Sequence, residues 1–213
     1  MEIQKLPNSF FREHPLEKLS FARFSFFKLA ELKQGAMATI YSNEMAQLLP
    51  QERREFIAAE NERIMKLETA EEVIEAIRKE KEGLCFDALI RRALELEETV
   101  LPLLLRRYQT SNPERFIETA GNIFAYADIK YSEALFSEYD SIRAPYARAQ
   151  ACIVFAAKGM KQTIPLLVRE VDKLGRIEDR EYHSDLSQAP LLALYVLHNR
   201  ATGTLRRPQG PSR

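Results

Sequence analysis

Two prolines constrain this chain more than any other feature. In TVLPLLLRRY, Pro102 stands before Leu103, Leu104 and Leu105; in TIPLLVREV, Pro165 stands before Leu166, Leu167 and Val168. Midway lies SEALFSEY, with Glu133 in the proline position and Ala134, Leu135 and Phe136 after it, so the intervals are 31 and 32 residues. A first helix rich in small residues precedes each of these segments: FDALIRRALEL, FIETAGNIFAYA and ARAQACIVFAAKG. Small residues on one face let two helix axes approach closely. A fixed period of this size, with one helix pair per period, is the signature of a helical solenoid. Proline in a helix interior costs about 3 kcal/mol, because it deletes a hydrogen bond and crowds the preceding turn. Pro165 therefore belongs in the first turn or at a bend of its helix.

The rest of the chain reads as helix almost throughout, and no segment shows convincing strand alternation. The spacing predicts helices over about 15–33, 36–49, 50–67 and 69–82. The third of these starts at Pro50 and turns Phe56, Ile57, Ile64 and Leu67 inward. In the fourth, TAEE forms a capping box from Thr69 to Glu72, and Gly83 supplies the stop. Helices over about 84–96, 98–109, 113–126, 128–139, 145–158, 161–174 and up to 200 follow, with Asn112 as a cap, Pro113 opening its helix, and Asp128 as a second cap. Gly175 to Asp185 is a polar connection. Seven glycines in 213 residues suit helices joined by short turns.

The stretch YARAQACIVFAAKGMKQTIPLLVREV, residues 146–171, resembles one HEAT-like repeat. Arg148, Ala151, Gly159, Ile164, Pro165 and Leu167 fit its pattern of an arginine with small residues, a glycine turn, then Ile-Pro opening the second helix. The likeness covers about residues 84–200. It implies an all-α, right-handed α-α solenoid, or superhelix, of HEAT-like helix pairs. Residues 1–82 would form an N-terminal helical capping region, residues 83–200 the repeats, and residues 201–213 a loose tail. Six of the twelve phenylalanines fall at 10, 11, 21, 24, 26 and 27. They either pack over the end of the solenoid or form an aromatic surface for a partner or second copy.

Charge excludes more than it suggests. The chain carries 31 basic and 31 acidic side chains, 13 and 15 of them in residues 1–82 and 18 and 16 in residues 83–213. Neither part has the basic excess that announces a nucleic-acid binder. No apolar run approaches the roughly 18 residues of a membrane span, and the N-terminus has no uninterrupted apolar core of a secretory signal. These absences point to the cytoplasm. Cys85 and Cys152 lie in apolar helical patterns and read as buried, reduced thiols. His14, His183 and His198 do not share metal-ligand spacing, and EDREYHSD, residues 178–185, reads as a solvated connection. Phosphate loops, nucleophile elbows and CxxC motifs are missing from the sequence, and no cofactor or metal is implied.

The function expected is that of a non-enzymatic scaffold binding a protein or acidic peptide on its concave face. The resemblance also admits an enzyme alternative, like the HEAT-like DNA glycosylases or the HEAT-like lyases that attach bilins. The former typically use Trp, and this chain has none. In such solenoids the second helix of each pair usually lines the inner curve. Its apolar side packs inward, which leaves Arg106, Lys130, Glu133, Arg169 and Lys173 as the ligand-facing positions. Four of these five are basic, and arginine binds carboxylates bidentately, so they suit an acidic segment. Arg91, Arg92, Arg107 and Arg148 are further arginines that could line that face.

Overall fold

Helix punctuation sets most boundaries in the computed structural model, which describes residues 49–80, 85–177 and 186–201. Helix α1 spans Gln51–Met65, with Pro50 at its cap and the Pro50 carbonyl accepting from the Arg54 N–H. Helix α2, Ala70–Lys79, opens with the expected capping box. Thr69 accepts from the Glu72 N–H, and the Glu72 carboxylate accepts in return from the Thr69 N–H at 3.0 Å. Helices α3, Phe86–Glu95, and α4, Glu97–Thr110, follow with Leu96 between them. Helix α5 covers Glu114–Tyr126. Pro113 stands at its cap rather than inside it: the proline backbone is extended, with ψ 119°, and only its carbonyl joins the helix, accepting from Ile117. Asn112 makes no side-chain cap. Helix α6, Ile129–Ser137, is capped as expected by Asp128, whose carboxylate accepts from the Lys130 N–H, and a 3-10 turn over Tyr139–Ser141 extends it.

Helix α7, Pro145–Lys158, begins on a proline and ends at Gly159, whose φ of 71° is the left-handed conformation that favours glycine. A 3-10 turn, Lys161–Thr163, leads into α8, Ile164–Gly175. Pro165 lies in the first turn of α8, where a missing N–H costs little. Pro102 is different, for it sits inside α4. The Glu98 carbonyl thereby lacks the donor four residues on, at an exposed position that water can reach. Helix α9, Gln188–Ala201, is the last among the described residues. All regular structure among the described residues is helical, so the chain is all-α there. The helices expected over 15–33 and 36–49, the stop at Gly83, the six-phenylalanine cluster, the polar residues 178–185 and the tail beyond 201 lie outside the described residues.

The helices pack in two rows. Among the odd-numbered helices, α1 packs on α3, α3 on α5, α5 on α7 and α7 on α9. Among the even-numbered ones, α2 packs on α4 and α4 on α6, while α8 packs on α9. Successive helices from α2 to α8 also touch, closing the two rows face to face. The core runs continuously between the rows, from Ile64 and Val73 through Leu104, Ile117 and Phe155 to Leu167 and Leu197. Edge-to-face ring contacts stitch it: Tyr108 with Phe124 and Phe136 with Phe155, at centroid distances of 5.7 and 5.6 Å. The Tyr108 hydroxyl is buried but satisfied, donating to the Ala147 carbonyl at 2.7 Å.

One expected core residue is outside. Phe56 is 64% exposed, while Ile57 and Leu67 are half-buried and Ile64 is buried. Ile57 and Ile64 are seven residues apart and share a helix face; Phe56 is turned about 100° from Ile57.

Candidate functional surface

All five residues expected to face a ligand are exposed, and all lie on the even-numbered row: Arg106 on α4, Lys130 and Glu133 on α6, Arg169 and Lys173 on α8. Their helices turn the intervening apolar residues, Leu104, Leu105, Leu135, Leu167 and Val171, into the core. Two of the four cations are already engaged. The Lys130 ammonium contacts the Glu98 carboxylate at 2.6 Å and lies 4.9 Å from the centre of the Tyr131 ring. This hydrogen bond raises the lysine above its usual range and lowers the carboxyl below its own. Arg169 contacts Asp140 at 3.3 Å and stands 3.5 Å from Glu170. Arg106 and Lys173 have no carboxylate within ion-pair distance among the described residues.

Arg106 occupies a setting of its own. It lines an open groove between the start of α2 and α4, together with Glu68, Thr69, Glu71, Thr99, Pro102 and Leu103. The exposed Pro102 ring and half-buried Leu103 give the groove an apolar side, and Glu68 and Glu71 stand across from the guanidinium. The groove therefore presents both signs of charge.

The other arginines divide between surface and interior. Arg92 is withdrawn from the face: its Nε donates to the Leu67 carbonyl at 2.7 Å, binding the segment after α1 to α3, and its Nη1 meets Glu95. Arg148 is a structural ion. Its Nη2 donates to Glu170 Oε1 at 2.8 Å and its Nε to Glu170 Oε2 at 3.2 Å, with the Glu170 side chain wholly buried. The Tyr139 ring lies under the guanidinium at 4.9 Å, and the Tyr139 hydroxyl donates to the Arg148 carbonyl at 3.3 Å. This cluster ties α7, α8 and the turn after α6 together. Arg91 and Arg107 remain exposed.

The carboxylates that engage these cations were not singled out in the sequence, although a signal for them exists there. Glu98 and Lys130 are 32 residues apart, Asp140 and Arg169 29, and Gln109 and Glu138, which also hydrogen-bond, 29. The Lys158 ammonium reaches the Ala127 carbonyl across 31 residues. These separations approximate the repeat period, so a partner could be sought one period away.

The thiols are inert in this arrangement. Cys85 and Cys152 are free and buried, and burial pushes them up to about 11 and about 12 respectively. Both are neutral at physiological pH. Among the described residues no group of three His, Cys, Asp or Glu side chains could hold a metal ion, and no helix is long and apolar enough to cross a membrane. Set against family models, curated proteins and solved structures, the chain matches none.

Proposed function

We propose that the chain is a HEAT-like, right-handed α-α solenoid acting as a non-enzymatic scaffold, which holds an acidic protein segment against the even-numbered helices. Helices α1 and α2, which precede residue 83, close its first end. The reading draws its main support from the order of packing and from charge: α2 stacks on α4 and α4 on α6, and α4, α6 and α8 each expose a cation, Arg106, Lys130 and Arg169. Arg106 and Lys173 offer charge that no carboxylate among the described residues engages, while Lys130 and Arg169 exchange an internal carboxylate for one on the partner. Glu133 marks the limit of the basic strip and disfavours a second acidic group beside α6.

A labelled acidic peptide of about twelve residues, rich in Glu and Asp, tests this by anisotropy titration on the full chain in low and high salt. The expected result is binding in low salt that weakens steeply as salt screens the charges. Reversing both Arg106→Glu and Arg169→Glu should weaken it about a hundredfold while the helical spectrum stays unchanged. Equal binding by the double variant, or none by the parent in low salt, contradicts the proposal. Tight capture of duplex DNA in place of the peptide contradicts it as well.

A further inference from the structure

The even-numbered row is not packed evenly. Helix α2 stacks on α4 and α4 on α6, but α6 and α8 make little direct contact, and α8 packs on α9 instead. A side-chain bridge spans the opening. Asp140, in the 3-10 turn after α6, reaches Arg169 of α8 with one carboxylate oxygen: Oδ1 accepts from Nη2 at 3.3 Å. The same Oδ1 stands 3.9 Å from Nη2 of Arg148 on α7. Behind the two guanidiniums lies Glu170, wholly buried, whose Oε1 is 2.8 Å from Arg148 Nη2 and 3.5 Å from Arg169 Nε. Two cations thus share two carboxylates, one sealed in the core and one at the surface.

The two carboxylates are held very differently. Glu170 accepts from Arg148 with both oxygens. Asp140 has a side chain 80% exposed and holds Arg169 by one oxygen. Exposed pairs of this kind contribute little to folding, because water and salt compete with them. Arg169 is itself 54% exposed, and its Nη1 has no partner among the described residues. A carboxylate that took Nη1 and Nη2 together would make the bidentate contact that Asp140 does not, and such a contact is the stronger one. Lys130 has no fork to offer, and Glu98 already holds it at the shorter distance of 2.6 Å.

We infer that Arg169, with Arg148 behind it, is where the even row takes a carboxylate of its partner, and that Asp140 is the built-in occupant which this carboxylate displaces. The inference rests on the acidic-segment reading and adds a regulator to it, since the hold of Asp140 sets the affinity. The site lies where the row is least closed, between α6 and α8. Displacement disturbs the fold little. Arg148 keeps both hydrogen bonds to Glu170 and the Tyr139 ring under its guanidinium, so no buried charge loses its partner when Asp140 swings away. Asp140, already mostly in water, exchanges a weak contact for hydration.

The test titrates the labelled Glu- and Asp-rich peptide by anisotropy in low salt against the full chain, Asp140→Asn, Arg169→Gln and the double variant. Removing the occupant should tighten binding about fivefold, the upper end for an exposed pair. Arg169→Gln should weaken binding, and in that background the Asp140 change should have little effect, because no guanidinium remains to be freed. Binding by Asp140→Asn no tighter than by the parent overturns the inference and leaves the acidic-segment reading standing. So does an equal gain without Arg169, which would be a general effect of net charge. No binding by any of the four overturns both. Binding seen with Asp140→Asn alone supports the inference and contradicts that reading for the unaltered chain. Should Asp140→Asn lose its helical signal, the Asp140 carboxyl carbon resonance of the unaltered chain decides. It should move as the peptide saturates the protein, and a resonance that stays fixed overturns the inference.

Discussion

Helices α1 and α7 have nearly the same length, fifteen and fourteen residues, and lie in the same row, yet they differ widely in burial. In α1 Ile64 is the one fully buried side chain, and Glu-Arg pairs such as Glu60 with Arg63 decorate the surface. In α7 eleven residues are buried, five of them alanines. Apolar content alone does not separate the two, for α1 has a phenylalanine, two isoleucines, a methionine and two alanines of its own. Neighbours do. Helix α7 has a row partner on each flank and two even helices before it, and its small residues permit that approach. Stability should therefore be concentrated around α7 and thin toward α1.

Substitutions can break or sharpen that contrast. The largest effect is expected from Leu167→Asp or Leu104→Asp, each at a side chain with no exposure. An unpaired buried carboxylate is intolerable in such a core, so either variant should lose its cooperative melt by circular dichroism. If both melt like the parent, the helix faces are wrongly placed. Next comes Glu170→Ala, which leaves the half-buried Arg148 with only the exposed Asp140 carboxylate, 3.9 Å away, and should cost about 3 kcal/mol in a urea titration. Replacing Arg148→Met and Glu170→Met together should cost less than Glu170→Ala, because no charge is left unpaired. A double variant as damaged as the single one would show that packing, not charge, governs this cluster.

Thr69→Ala should cost about 1 kcal/mol, since it removes the cap of α2. The same cap carries a pH signature. Backbone N–H groups of Thr69 and Glu68 hold the Glu72 carboxyl below its ordinary value of 4.5. Its contribution is thus complete above that value and is lost as pH falls through the lower, folded-state one. The parent should lose more stability than Glu72→Gln, which has no carboxylate to titrate, across that acid window, as read by melts at a series of pH values; parallel losses would argue against the box. The smallest effect is expected for Phe56→Ala on α1, within about 0.5 kcal/mol. A loss of several kcal/mol there would mean that α1 is as deeply embedded as α7.

Much of the all-α architecture could be read from residue spacing because caps and small-residue faces are local signals. Thr69 with Glu72, Asp128, Pro145 and Gly159 each mark a boundary using only adjacent chain. Burial is a different kind of property. Nothing near Phe56 announces that its side of α1 lacks a neighbour, and nothing near Gln150 announces that its side of α7 has one. The surface cations were legible as exposed positions on second helices. Their engagement by Glu98 and Asp140 was not, because it depends on how successive pairs align. Arg148 shows the same limit: its residue type fits a binding face as well as a buried ion pair, and only the position of Glu170 on α8 decides between them.

Native-state hydrogen exchange on the full chain tests the two-row account most directly, because it ranks helices by the free energy needed to expose them. The account predicts the slowest exchange in α7, with α5 and α9 close behind, and the fastest among the described helices in α1. Protection of α1 equal to that of α7, or rapid exchange along α7 under native conditions, would contradict it.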